Sequence, residues 1–64
     1  MLIYFLNAVM EDGSEYETDY LAKDDAHAIR IAQVICAGTE GLWSAITLVR
    51  DDGQEIDEPA SGWR

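Results

Sequence analysis

Apolar residues fall in blocks along this chain, and the blocks have two different periods. Positions 2–10 and 42–50 are largely apolar runs of strand length, and each is closely followed by an Asp-Gly pair, which favours a tight hairpin turn. Between them lies a stripe with the spacing of one helix face, which consists of Ala28, Ile29, Ala32, Ile35 and Cys36. The pattern predicts an α+β fold: a single β-β-α-β-β domain with a mainly antiparallel four-stranded sheet and one helix packed on one face.

A type I′ turn centred on Asp12-Gly13 sets the register that we predict for the first hairpin. It pairs Phe5 with Tyr20 and Val9 with Tyr16. Since side chains alternate along a strand, we expect this aromatic face to cover the core. The other face of the second strand then carries an acidic row opposite Met10, Ala8 and Leu6, and the row consists of Glu15, Glu17 and Asp19.

The second hairpin contains a near-repeat of the first turn, since EDGSE at 11–15 is matched by DDGQE at 51–55. The same turn type at Asp52-Gly53 would join strands at 42–50 and 54–57. Its pairs would be Arg50 with Glu55 and Val49 with Ile56.

One domain spans residues 1–64, and we expect about 60–64 to form a loose C-terminal tail. Trp63 in this tail has two possible roles. It either folds back onto the open face of the sheet or anchors an interface, where tryptophan is enriched. At the start of the helix, Asp24 or Asp25 can serve as the N-cap.

The charge balance narrows the function. The chain has 13 acidic and four basic residues and a formal net charge of −9, yet 48% of its residues are hydrophobic, so we expect a compact domain and not a disordered tail. A domain of this size spans roughly 28 Å, and that length of duplex DNA carries roughly 16 phosphate charges. Acidic residues outnumber basic ones, so the chain lacks the positive charge that binding to nucleic acid requires, and we expect no direct binding to it. We expect a basic partner instead, because the net charge of −9 is comparable to the charge on one side of such a duplex.

No residue pattern points to catalysis or to a cofactor. Cys36 and His27 would face opposite sides of the helix, so they are not expected to act as a nucleophile and base. Acids gather at both turns, at Glu11, Asp12 and Glu15 and again at Asp51, Asp52 and Glu55, but neither set has the spacing of a calcium loop. We predict no enzyme, no cofactor and no metal. A small metal-dependent hydrolase is the third alternative, and it would lose activity on chelation.

In size, charge and paired acidic turns, Glu11-Asp12-Gly13 and Asp51-Asp52-Gly53, the chain resembles the small acidic inhibitors that phages make against bacterial defence, above all the anti-CRISPR proteins. Several of these are duplex-DNA mimics that occupy the basic site where a CRISPR effector reads its protospacer-adjacent motif. The resemblance implies a non-enzymatic inhibitor in the cytoplasm of a bacterial host cell. It is one of overall character and carries no diagnostic motif. The chain also resembles short bacterial proteins of the same element order, which imply no function.

The leading hypothesis is thus an inhibitor that mimics duplex DNA and binds a basic nucleic-acid-binding protein, such as a CRISPR effector complex. The expected partner-binding residues are the acids of the turns and strands: Glu11, Asp12, Glu15, Glu17, Asp19, Asp51, Asp52 and Glu55. The rival is a structural or homo-oligomerising module, whose dimer would cover the open sheet through Leu6, Ala8 and neighbouring residues. We expect a monomer or homodimer and no membrane association, since the apolar start of the chain is too short to span a bilayer.

Overall fold

A computed structural model describes residues 1–38 and 43–63 of the chain. The elements are β1 (Leu2–Met10), β2 (Glu15–Ala22), α1 (Asp25–Gly38), β3 (Trp43–Arg50) and β4 (Glu55–Ile56). The predicted β-β-α-β-β order and the α+β fold are confirmed. Two predicted terminal positions, Leu42 at the start of the third strand and Arg64 in the tail, lie outside the described residues.

The sheet has the strand order β2-β1-β3-β4, and its described pairs are antiparallel. The two longest apolar runs, β1 and β3, therefore lie at the centre. β1 is hydrogen-bonded along both edges, by β2 and β3, and its apolar residues lie on both faces of the sheet.

Helix α1 begins at a side-chain cap. The Asp24 carboxylate accepts a hydrogen bond from the backbone N–H of His27 at 2.9 Å, so Asp24 is the N-cap. Asp25, the other candidate, points its carboxylate at Tyr4 and Arg50 instead. Along the helix, the predicted stripe faces the sheet: its centre is buried and its margins, Ile29 and Ile35, are half-buried against the core.

The core lies between the helix and one face of the sheet. Its buried members are Tyr4, Leu6, Ala22, Ala28, Ala32, Cys36, Leu48 and Trp63. The helix contributes only small side chains to this set, which leaves room for a large side chain from another element. Trp63 is 4% exposed, so the expectation of a loose tail is wrong at this residue. It enters the helix side of the sheet, which neither of the two predicted roles anticipated.

Gln33 fixes the returning tail. Its side-chain amide donates to the carbonyl of Gly62 at 2.9 Å and to the hydroxyl of Ser61 at 3.2 Å. A turn closed by the N–H of Gly62 and the carbonyl of Pro59 at 2.8 Å directs the chain back. The tail thus supplies an indole that the small side chains of α1 leave room for.

Both hairpin registers differ from the prediction by one residue. In the first loop, the N–H of Gly13 donates to the carbonyl of Met10 at 3.0 Å. The N–H of Met10 donates to the carbonyl of Ser14 at 2.8 Å. These bonds enclose a loop of three residues, with Gly13 at φ 90°. A type I′ turn needs positive φ at both central residues, whereas this loop needs it only at the glycine, where no Cβ opposes it.

The shift exchanges the two faces of β1. The observed pairs include Tyr4 with Tyr20 and Phe5 with Asp19. Tyr4 is therefore in the core, and the prediction that Phe5 and Val9 cover the core is wrong, because a slip of one residue turns every side chain of a strand to the other face. In the second hairpin, Val49 pairs with Glu55 and Leu48 with Ile56. The predicted pairs, Arg50 with Glu55 and Val49 with Ile56, are therefore wrong by one residue.

Candidate protein-interaction face

The face of the sheet that does not contact α1, here called the open face, has an acidic margin on each side. Successive cross-strand pairs place Asp19, Phe5, Val49 and Glu55 in one line across β2, β1, β3 and β4. Neighbouring strands are about 4.8 Å apart, so the backbones of the two outer residues, Asp19 and Glu55, are about 14 Å from each other. Two apolar side chains lie between them.

The acidic row on β2, which consists of Glu15, Glu17 and Asp19, is exposed on this open face as predicted. Its partners on β1 are Val9, Asn7 and Phe5, and the predicted partners Met10, Ala8 and Leu6 are wrong because of the register shift. Alternate residues of a strand are about 6.8 Å apart, so the row covers about 14 Å. The amide of Asn7 donates to Glu17 at 3.0 Å and orients the middle carboxylate.

The two acidic turns lie at opposite ends of the sheet. Residues 11–13 follow β1, residues 51–53 follow β3, and these central strands are antiparallel. Glu11 and Asp12 therefore extend the acidic row at the end where Glu15 lies, whereas Asp51 and Asp52 mark the far end. The predicted binding acids are thus spread along the domain and do not form one cluster.

Each turn uses its central aspartate to hold its own backbone. Asp12 accepts hydrogen bonds from the N–H of Ser14 at 2.9 Å and from its hydroxyl at 2.6 Å, which lowers the pKa of Asp12. Asp52 accepts from the N–H of Gln54 at 3.0 Å and pairs with Arg50 at 2.9 Å. The hydrogen bond from Arg50 lowers the pKa of Asp52, and the nearby cation offsets part of its charge.

The apolar centre of the open face was missed by the sequence-based interpretation. Ile3, Phe5 and Leu21 are 39%, 49% and 54% exposed, and Ile3 pairs with Leu21 across the strands. Asn7 was the available signal, because a polar residue in the alternation Ile3, Phe5, Asn7, Val9 marks that side of β1 as the solvated one. The open face thus combines carboxylates with exposed apolar side chains.

Other chemistry is sparse in the described part of the chain. Burial raises the pKa of the Cys36 thiol, which keeps it protonated, and a thiol is a far weaker nucleophile than a thiolate. Among residues 1–38 and 43–63, no three histidine, cysteine or acidic side chains converge as metal ligands. Within the same ranges, no helix has the length and apolarity required to cross a bilayer.

In comparisons with known proteins, no protein-family model, no curated protein and no solved structure matches the chain.

Proposed function

We propose that the protein is a non-enzymatic inhibitor that binds the basic surface of a nucleic-acid-binding protein through the acidic side of its open face. The observation that supports this most directly is the exposed acidic row, Glu15, Glu17 and Asp19, on the open face of a domain with net charge −9. The carboxylates take the place of phosphates and accelerate the encounter with a basic partner. The proposed setting is the cytoplasm of a bacterial cell, and a CRISPR effector complex is one such partner.

The amount of charge fits one side of a duplex. The domain is 33 Å long in its longest dimension, and duplex DNA of that length carries about 19 phosphate charges around its circumference, at about one per 1.7 Å. A net charge of −9 is about half of that number. The acidic row supplies the side of the sheet, and the two acidic turns supply its ends.

The rival proposal is a homo-oligomerising module. Its predicted contact residues, Leu6 and Ala8, are 1% and 2% exposed on the helix side, so a dimer could not use them. A dimer through Phe5 and Leu21 would place two acidic rows close together, and their repulsion opposes it. The two proposals also respond to salt in opposite ways, because screening weakens charge contacts and leaves apolar contacts intact or stronger.

The test is a competition experiment with purified CRISPR effector complexes and labelled target duplex. The protein should displace the duplex from at least one effector, and it should do so less well as salt rises. Glu15→Gln/Glu17→Gln/Asp19→Asn keeps side-chain shape and removes three charges, so we expect it to lose about 1–3 kcal/mol of binding free energy at low salt.

The matched control is Asp24→Asn combined with Asp57→Asn and Glu58→Gln, which removes the same number of charges away from the acidic row. Asparagine is also a good N-cap, so the helix start is retained. If the row variant competes as well as the control and the wild-type protein, and added salt changes nothing, the acidic row is not the binding surface.

A further inference from the structure

Phe5 is exposed at an unusual place. It lies on the central strand β1, but on the open face, where its side chain is 49% exposed and adds nothing to the core behind the sheet. Its direct cross-strand neighbours are Asp19 on β2 and Val49 on β3. An aromatic ring therefore lies beside a carboxylate on an unpartnered sheet face.

The surface around the ring is concave. A depression of about 500 Å³ lies across β1, β2 and β3. Its lining includes Phe5, Asn7, Glu17, Asp19, Thr47 and Val49. Its apolar floor and acidic margin favour a ligand that is both cationic and able to cover apolar surface. Arginine has these properties, because its guanidinium is planar, weakly hydrated and able to stack on a ring while pairing with a carboxylate.

Lysine fits this surface less well, because its ammonium is a compact and strongly hydrated point charge. A second copy of the chain also fits less well. It would bring its own acidic row and its own net charge of −9, and the repulsion between two such chains opposes the contact. Charge complementarity thus selects a basic protein segment as the occupant.

We infer that the open face docks an arginine side chain of the basic partner, with the guanidinium on the ring of Phe5 and paired with Asp19. This rests on the proposed function, which supplies the basic partner, and it adds which basic residue the site selects. Directly opposed side chains in a sheet have Cβ atoms about 5 Å apart, so one guanidinium can reach the ring and the carboxylate together. The apolar centre then contributes selectivity, and the remaining acids contribute long-range attraction.

Two peptides of equal charge provide the test: nonaarginine and nonalysine, labelled for fluorescence anisotropy at low and high salt. Phe5→Leu removes the ring and keeps an apolar side chain. Tyr16→Leu is the matched control, since Tyr16 is 45% exposed on the other face of the sheet. We expect wild type to prefer nonaarginine, Phe5→Leu to lose roughly two- to five-fold in affinity for it, and Tyr16→Leu to behave as wild type. Circular dichroism verifies that both variants are folded.

The other outcomes separate the two proposals. If both peptides bind in a salt-sensitive manner but Phe5→Leu keeps the full preference for arginine, the docking inference is wrong and the proposed function stands. If neither peptide binds, both are contradicted. If sedimentation shows a wild-type dimer that Phe5→Leu dissociates, the occupant is a second copy and the arginine site is wrong.

Discussion

Asp25 connects three elements at one end of the domain. Its carboxylate accepts a hydrogen bond from the hydroxyl of Tyr4 at 2.6 Å and lies 3.2 Å from the guanidinium of Arg50. Arg50 in turn holds Asp52 of the second turn at 2.9 Å. The sequence suggested a helix cap for Asp25, but the register of β1 places Tyr4 beneath it and gives it this tertiary role. The buried hydroxyl of Tyr4 thereby has a partner, which a core position requires.

Alkaline pH should destabilise the protein because of Tyr4 and a second tyrosine, Tyr20. Burial, and for Tyr4 the hydrogen bond to Asp25, raises the pKa of each from 10.0 to about 12. The unfolded chain therefore releases these protons first. Stability should be complete below pH 10 and fall between pH 10 and about 12, as urea denaturation at several pH values would show.

Tyr4→Phe is the variant that isolates one of the two groups. It should remove about half of this alkaline dependence, since each tyrosine contributes at most one proton to the difference. A wild-type stability that stays constant from pH 9 to pH 12 would contradict the buried placement of both hydroxyl groups.

At the scale of elements, the two turns use one design. In each, an aspartate accepts a hydrogen bond from the N–H two residues later, at 2.9 Å in the first turn and 3.0 Å in the second. In each, a glycine follows with φ close to 90°, at Gly13 and at Gly53. The near-repeat in the sequence therefore corresponds to a repeat in conformation. Both loops also shift the strand pairing by the same one residue from the register that a type I′ turn would give.

Alanine at these glycines should be destabilising although no atom blocks it. A Cβ at Gly13 or Gly53 would have no neighbour within 4 Å, so the cost comes from the positive φ and should be about 1–2 kcal/mol at each site. Gly38 is the matched control: it also has an open surrounding, but its φ is not positive, and Gly38→Ala should be neutral or stabilising. Equal losses at all three sites in chemical denaturation would contradict the loop conformation.

The element order could be predicted from the sequence because periodicity and Asp-Gly signals are local. The face of β1 was predicted wrongly, since Tyr4, Leu6 and Ala8 are about as apolar as the alternate set, and the choice rests on the loop length and on the single polar residue Asn7. The acidic row on β2 was predicted correctly, because its other face is aromatic and only one choice keeps charges in water. The apolar part of the open face depended on β1 and was therefore missed.

At the scale of the whole molecule, the tail completes a small core. The helix offers Ala28, Ala32 and Cys36 to the sheet, and such small side chains bury little area by themselves. Trp63 compensates from a position far along the chain. Local patterns could not reveal this, because nothing near Trp63 in the sequence identifies its distant contacts.

Trp63→Ala should therefore unfold most of the protein. Truncating a buried tryptophan costs about 3–5 kcal/mol, which is most of the stability expected for a domain of this size. Val34→Ala is the control, since Val34 is 73% exposed on α1 and its truncation should change stability by less than about 0.5 kcal/mol. A cooperative thermal transition of Trp63→Ala at the wild-type temperature would show that the tail does not close the core.

The most direct measurement of the binding face is a methyl NMR titration with nonaarginine. Branched methyl groups report on each surface separately: Ile3, Val9, Leu21 and Val49 on the open face, Leu48 in the core and Val34 on the outside of α1. We predict salt-sensitive shifts at the open-face methyl groups, with Val34 and Leu48 unchanged. Shifts centred on Val34, with the open-face signals unmoved, would contradict the placement of the binding surface on the open sheet.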